Sequence, residues 1–98
     1  MKSYNNISSD TTSSPVTLLT KGDTGGYVRK ISIANHDDSD SNTINLHLYD
    51  GTNTYTITET TIPALTTLVL DDNLSFDASR YDLKIDTSTT AEITIIIK

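Results

Sequence analysis

An acidic loop in the first half of the chain has the residue types and spacing that come nearest to a metal site. Asp38, Asp40 and Asn42 stand at the first, third and fifth positions of an EF-hand-like calcium loop. The pattern then breaks, because a threonine stands where the turn glycine belongs and a tyrosine where the bidentate glutamate belongs. A calcium site of another type needs only several oxygen ligands, so these three residues stay candidates. The sequence favours a solvated hairpin loop, and we predict no metal or other cofactor.

The other carboxylates give no pattern of an acid and a base. A second acidic cluster, Asp71-Asp72-Asn73 with Asp77, is typical of a solvated turn. Glu59 and Glu92 stand alone in the sequence. A glycosidase pair of carboxylates would therefore need aspartates that the fold brings together.

The two histidines, His36 and His47, are not spaced as the ligands of a zinc site or as members of a catalytic triad. His47 falls on the polar face of its predicted strand, opposite Leu46 and Leu48, and His36 lies at a loop edge. A zinc site would need a third ligand at a suitable spacing. No serine lies in a nucleophile elbow, and no base-and-orienter pattern surrounds either histidine. We predict that the chain is not an enzyme and has no catalytic residue.

Five tyrosines offer a different chemistry, a stacking platform for sugar rings. Tyr27 and Tyr81 fall on apolar faces and are predicted to be core residues. Tyr49 and Tyr55 flank the Asp50-Gly51 turn and are placed to pair across a hairpin. The chain has no tryptophan, so a receptor- or glycan-binding module is the second hypothesis rather than the first.

A row of strands must position these residues, because apolar and polar residues alternate in short segments from Tyr27 to Lys98. Side chains of a strand alternate between its faces, so each segment predicts a half-buried strand with one apolar side. No segment has a helical period. The prediction is an all-β domain, an antiparallel β-sandwich of seven to eight strands, with a jelly roll as one form of this architecture. The predicted core consists of Ile31, Ile33, Ile44, Leu46, Leu48, Ile57, Leu68, Leu70, Phe76, Leu83, Ile85, Ile93, Ile95 and Ile97.

Turn signals divide these segments. The Asp50-Gly51 dipeptide predicts a tight hairpin, and Ser88-Thr89-Thr90 is expected to join the last two strands as a second hairpin. Ile96 makes the last strand apolar on both faces, which fits either a central strand or a strand paired against another subunit.

The first fourteen residues are polar, with Tyr4 and Ile7 as the only apolar side chains behind Met1. Such a stretch cannot fold alone. We predict an extended arm at 1–14 and a sandwich domain at 15–98. Tyr4, Ile7 and Ile96 are the candidate subunit contacts.

Composition limits the partners. The 98 residues fit one domain, and thirteen acidic against seven basic residues give a net charge of −6. A surface of this sign repels phosphate backbones, so we predict no nucleic-acid partner. No apolar run reaches the length of a membrane span, so no membrane partner is expected. The lack of cysteine, and of an apolar run behind Met1, fits synthesis in a reducing cytoplasm.

The run Ile62-Pro-Ala-Leu-Thr-Thr-Leu-Val-Leu-Asp-Asp72, with Leu74-Ser-Phe76 and Tyr81-Asp-Leu-Lys-Ile85, resembles small virion structural proteins of tailed phages, especially marine cyanobacterial phages. The segment from Val28 to His36, which leads into a polar hairpin, fits the same type. One departure is Leu65, where such proteins more often have glycine.

The resemblance covers roughly residues 27 to 98 and implies a non-enzymatic virion protein made in the host cytoplasm. We expect capsid decoration, with a neck or tail position as the alternative. The implied partners are other virion proteins such as the major capsid protein, with this chain present as a homo-oligomer or in many copies.

Overall fold

The computed structural model describes residues 3–22, 26–71 and 76–98. These residues form ten strands and no helix, which confirms the all-β prediction. Accordingly, none of them belongs to a helix long and apolar enough to cross a membrane. The strands are β1 (Ser3–Ile7), β2 (Val16–Leu19), β3 (Tyr27–Val28), β4 (Ile31–Asn35), β5 (Asn42–Tyr49), β6 (Thr54–Ile62), β7 (Thr66–Leu70), β8 (Phe76–Asp77), β9 (Asp82–Thr87) and β10 (Ile93–Ile97).

The strands pair from the outside inwards, as in one long hairpin. β1 pairs with β10, β2 with β9, β3 with β8, β4 with β7 and β5 with β6, all antiparallel. Additional pairing of β10 with β4 and of β9 with β5 rolls the hairpin into two four-stranded sheets. Sheet A has the order β1-β10-β4-β7 and sheet B the order β2-β9-β5-β6. This is a jelly roll of eight strands, and the two-residue strands β3 and β8 form a separate ribbon.

The core lies between the two sheets, where the alternation of the sequence directs the apolar side chains. Ile93, Ile95 and Ile97 of β10 are fully buried, and Leu46 and Ile85 of the opposite sheet are fully buried against the same core. Apart from the two tyrosines treated below, all predicted core residues are buried in this cluster except three that are partly buried against it, namely Ile57, Leu68 and Leu70. The sequence prediction missed Ile7, Leu18, Leu19, Val28, Ile62, Ala78 and Ala91, which are also buried.

The prediction of a separate N-terminal arm is wrong for the described residues 3–14. β1 is an edge strand of the chain's own sheet, paired with β10 from Ser3 opposite Ile97 to Ile7 opposite Ile93. Ile7 is 7% exposed and belongs to the core, so it does not project toward a neighbouring subunit. A polar segment docks here because a sheet is joined through backbone N–H and C=O groups, which every residue supplies.

Hydrogen bonds between Thr11 and Thr87 attach the segment that follows β1 to the end of β9. The Thr11 backbone N–H donates to the Thr87 carbonyl at 2.8 Å, and the Thr87 N–H donates to Thr11 Oγ1 at 2.8 Å. The Thr87 hydroxyl also donates to the Ser9 carbonyl at 2.6 Å. Since Thr87 is fully buried, these bonds satisfy groups that water cannot reach.

The predicted hairpin at Ser88-Thr89-Thr90 is also wrong, because β9 lies in sheet B and β10 in sheet A. The connection crosses between the sheets and is held by Asn42, which is 1% exposed. Its Oδ1 accepts from the Ser88 N–H at 2.9 Å, and its Nδ2 donates to the Ala91 carbonyl at 3.2 Å.

The Asp50-Gly51 hairpin is confirmed between β5 and β6. Asp50 Oδ1 accepts from the backbone N–H groups of Thr52 and Asn53 at 2.8 and 2.7 Å, and Gly51 has φ of 103°. In the turn between β6 and β7, Leu65 has φ of 57°. This is the left-handed region that favours glycine, which explains why a glycine suits that position.

Candidate functional site

The outer face of sheet A carries an apolar row that contains two of the three predicted contact residues. Tyr4 lies opposite Ile96, Ile96 opposite Ser32, and Ser32 opposite Val69, so three apolar residues lie in one line across the sheet, interrupted on β4 by Ser32. Tyr4 is 65% exposed and Val69 is 48% exposed. We call Tyr4, Ile96 and Val69 the apolar row. Ile96 is half-buried because β10 is a central strand, with neighbours on both sides. This position accounts for an apolar residue on the outer face of the sheet.

Two lysines border the apolar row along one side. Lys30 and Lys98 line a hollow of about 160 Å³ together with Ser32, Val69 and Ile96. Their backbones are bonded to each other, since the Lys98 N–H donates to the Lys30 carbonyl at 2.9 Å and the Lys30 N–H donates to the Lys98 carbonyl at 3.1 Å. The face therefore presents exposed apolar side chains with positive charge at one border, in a chain of net charge −6.

The candidate calcium ligands do not converge on one point. Asn42 is buried and its side chain binds the crossover described above, whereas Asp38 and Asp40 are exposed in the loop. The loop is organised instead by Asp37, whose Oδ1 accepts from the N–H groups of Ser39 and Asp40, both at 2.9 Å. Within residues 3–22, 26–71 and 76–98, no three histidine or acidic side chains are grouped as a metal site.

The second acidic cluster falls partly outside the described residues, which exclude Asp72 and Asn73. Of its other members, Asp77 caps a turn, because its Oδ1 accepts from the Ser79 N–H at 2.9 Å and from the Ser79 hydroxyl at 2.6 Å.

Four polar side chains are joined by hydrogen bonds on the outer face of sheet B, which the sequence did not indicate. His47 Nε2 lies 2.9 Å from Asp86 Oδ2, and His47 Nδ1 lies 3.1 Å from the Thr56 hydroxyl oxygen. Asn45 Nδ2 donates to the other Asp86 oxygen at 2.9 Å. A bulge in the pairing of β5 and β6 brings Thr56 opposite His47. His47 does lie on the polar face, as predicted.

The order hydroxyl, imidazole, carboxylate is that of a catalytic triad, but its surroundings differ from those of an active site. A triad needs donors that stabilise an oxyanion beside the nucleophile. Here Thr56 and His47 are opposite residues of the paired strands β5 and β6, so the hydroxyl stands on the face of a sheet. The side chains of His47 and Asp86 are only 17% and 12% exposed. The group is suited to holding β5, β6 and β9 together.

His36 lies on the other sheet, at an exposed position. Its Nε2 lies 2.9 Å from the Thr94 hydroxyl oxygen and its Nδ1 lies 3.6 Å from a Glu92 carboxylate oxygen. The two histidines therefore do not form a common site.

The predicted roles of the tyrosines are only partly confirmed. Tyr27 is 56% exposed rather than buried, because it lies in the short ribbon and Val28 takes the core position. Tyr81 does pack against the core. Tyr49 lies opposite Thr54 instead of Tyr55, and its ring lies 4.9 Å below the Lys84 ammonium. Tyr55 contacts Tyr81 edge to face, with ring centroids 6.5 Å apart.

Three loops at the same end of the sandwich form an open cleft of about 450 Å³, which we call the three-loop cleft. The loops follow β2, join β5 to β6, and lead from β8 into β9. The cleft is lined by Lys21, Asp50, Thr52, Ser79, Arg80 and Tyr81. No single sequence segment indicated it, because each loop alone has only the signals of a turn.

Four aspartates fix turns through hydrogen bonds and have lowered pKa values as a result. The bond from the Thr12 hydroxyl lowers the pKa of Asp10, and the bond from the Asp40 N–H lowers that of Asp37. Likewise, the N–H of Asn53 lowers the pKa of Asp50, and the Ser79 hydroxyl lowers that of Asp77. In each case the bonds favour the ionised carboxylate.

These shifts predict acid destabilisation. A carboxyl whose pKa is lower in the folded state binds protons more tightly when unfolded, so acid favours unfolding. The stabilisation is complete above the ordinary aspartate pKa of 3.8 and is lost as the pH falls through the lower folded values. We expect the melting temperature to be nearly constant from about pH 7 to 5 and to fall below about pH 4. Asp37→Asn should reduce this fall, whereas Asp38→Asn is the neighbouring control. An equal effect of both variants would contradict the role of Asp37.

The chain matches no protein-family model and no curated protein. Among solved structures, it is similar to the crystal structure of PirA, with a TM-score of 0.57 and 10% sequence identity. The similarity covers 98% of this chain and 90% of the PirA chain. At this identity the likeness shows the fold alone. Its extent agrees with a single folding unit that includes β1.

Proposed function

We propose that this chain is a non-enzymatic structural protein of a tailed-phage virion that decorates the capsid. It is made in the host cytoplasm, is present in many copies, and contacts the major capsid protein rather than nucleic acid or membrane. The jelly roll supports this proposal as an analogy, because viral capsid and lectin domains use that architecture. The resemblance of residues 27 to 98 to small virion proteins supports it from the sequence side.

The observation that carries the proposal is the apolar row on sheet A. Exposed apolar side chains grouped on one sheet face, here Tyr4 and Val69 with the half-buried Ile96, are typical of a contact surface, and tyrosine is enriched among residues that dominate binding energy. Lys30 and Lys98 at the border select a partner surface with acidic groups, since complementary charge guides association. We therefore assign the outer face of sheet A to the contact with the major capsid protein.

The proposal assigns no catalytic role to the group formed by Thr56, His47 and Asp86. Its three side chains lie on a paired sheet face, and none of them lines the three-loop cleft. A structural role for the group accounts for its hydrogen bonds without chemistry.

Adding purified chain back to capsids stripped of it tests the proposal. We expect Tyr4→Thr to reduce incorporation about tenfold or more, since a tyrosine that dominates a contact contributes at least about 1.4 kcal/mol. Threonine keeps the preference for a strand. The matched control is Tyr27→Thr, which changes another exposed tyrosine in a strand outside the apolar row. Equal incorporation of both variants would contradict the assigned face, and absence of the chain from purified particles would contradict the function.

Quantitative mass spectrometry of particles separates decoration from the alternative position in the neck or tail. Decoration predicts copy numbers comparable to that of the major capsid protein, whereas a neck or tail protein is present in far fewer copies. A glycan-binding role is the second candidate because the three-loop cleft combines polar side chains with a fixed tyrosine.

A further inference from the structure

The three-loop cleft is separate from the apolar row, and its lining is built from fixed polar groups. The Lys21 ammonium donates to the Asp50 carbonyl at 3.1 Å, which joins the first loop to the β5–β6 hairpin. The Lys21 backbone N–H donates to Asp82 Oδ1 at 2.6 Å, which joins the same loop to β9. Asp50 and Asp77 each cap their own turn, as described above. A site with its polar groups already fixed loses little entropy when a ligand binds.

The aromatic wall of the cleft is fixed too. The Tyr81 ring makes perpendicular, edge-to-face contacts with Phe76 and with Tyr55, with ring centroids 6.5 Å apart in both pairs. Tyr81 is partly buried, whereas Tyr55 is 49% exposed. The cleft therefore offers aromatic surface next to carboxylate, hydroxyl, ammonium and guanidinium groups.

The charges around the cleft favour an uncharged ligand. Lys21 and Arg80 are its cations, and Asp50, Asp77 and Asp82 lie in the same three loops or at the start of β9. These three acids outnumber the two cations, and the chain has a net charge of −6, so a polyanion gains no net attraction at the cleft. An apolar molecule would leave the charged lining without hydrogen bonds.

We propose that the three-loop cleft binds a neutral saccharide unit. Sugar hydroxyls donate to carboxylates such as that of Asp50 and accept from the Arg80 guanidinium, and the C–H face of a pyranose ring packs on a tyrosine ring. The volume of about 450 Å³ accommodates such a ring. This inference rests on the glycan-binding role, the second candidate function, and does not depend on the virion role.

Amide chemical shifts of the full-length chain test the proposal, with the methyl glycosides of glucose, galactose, mannose and N-acetylglucosamine as probes. At least one probe is expected to shift the amides of Thr52 and of residues 79–81, with a Kd of about 1 mM, as small ligands with few contacts have. Arg80→Ala should weaken binding at least tenfold. Its matched control is Arg29→Ala, an exposed arginine outside the cleft, which should leave the Kd unchanged.

Three outcomes would overturn the saccharide site: no shifts with any of the four glycosides, shifts confined to residues outside the cleft, or equal losses in the two arginine variants. Incorporation into capsids separates this result from the proposed function. Arg80→Ala should incorporate like the unmodified chain, because Arg80 lies outside the apolar row.

Discussion

Deletion of residues 1–14 is expected to destabilise the domain by at least about 4 kcal/mol, a large part of the 5–15 kcal/mol that holds a domain of this size together. The deletion removes the burial of Ile7, worth about 2 kcal/mol. It also removes the partners of the buried Thr87 N–H and hydroxyl, and each buried group left unsatisfied costs about 1–3 kcal/mol. In a domain of 98 residues this loss lowers the melting temperature by about 15 °C or more.

The deletion has a further consequence for association. Without β1, the edge of β10 presents unpaired backbone groups beside Ile95, Ile96 and Ile97. An exposed apolar edge strand is a template for pairing with other chains. We therefore expect the truncated chain to aggregate as well as to melt earlier, which size-exclusion chromatography measures.

Two point variants separate the contributions of the segment. Ile7→Ala should reproduce part of the loss, about 2–4 kcal/mol, because it removes a core side chain and leaves the strand. Tyr4→Thr should change stability by less than about 0.5 kcal/mol, because Tyr4 is exposed. A truncated chain that melts like the complete one would contradict the structure and favour the separate arm that the sequence predicts.

The sequence predicts the faces of this fold better than its connections. Alternation such as Ile93, Ile95 and Ile97 identifies the buried side of a strand, since side-chain direction depends only on position along the strand. Pairing depends on residues distant in the chain, so the crossover after Thr87 resembles a local hairpin in sequence. The pairing of β1 with β10 could not be predicted for a related reason. It depends on backbone N–H and C=O groups, which every residue has, so the amino-acid composition of the segment does not indicate it.

The same holds for the candidate sites: the face on which a residue lies could be predicted, but its contacts with distant residues could not. The alternation places His47 on a polar face, but its partner Asp86 lies in β9, and only the neighbouring position of β9 and β5 brings the two together. Tyr4 and Ile96 were predicted as contacts from their apolar character, and the fold makes them opposite residues of adjacent strands. Their role as contacts remains a prediction. The three-loop cleft was not predictable, because its lining comes from three turns that are distant in sequence.

Asn35→Ala is expected to cost about 2–4 kcal/mol, since one buried and two partly buried backbone groups would lose their partner. Asn35 is 1% exposed at the end of β4. Its Nδ2 donates to the carbonyls of Asp40 and Ile62, at 2.9 and 3.0 Å, and its Oδ1 accepts from the Asp37 N–H at 3.1 Å. Because Ile62 ends β6, this one side chain joins sheet A, sheet B and the acidic loop.

Chemical denaturation of three variants tests whether the hydrogen bonds of Asn35, rather than its volume, are responsible. Asn35→Asp keeps the size and an acceptor but turns an oxygen toward the carbonyls of Asp40 and Ile62, so it should cost at least as much as Asn35→Ala near pH 7. Asn53→Ala is the matched control, because Asn53 is exposed and its bonds in the hairpin are made by its backbone. It should change the free energy of unfolding by less than about 0.5 kcal/mol. If Asn35→Asp were as stable as the unmodified chain, the two carbonyls would not depend on the amide, and the junction between the sheets would have to be held by packing alone.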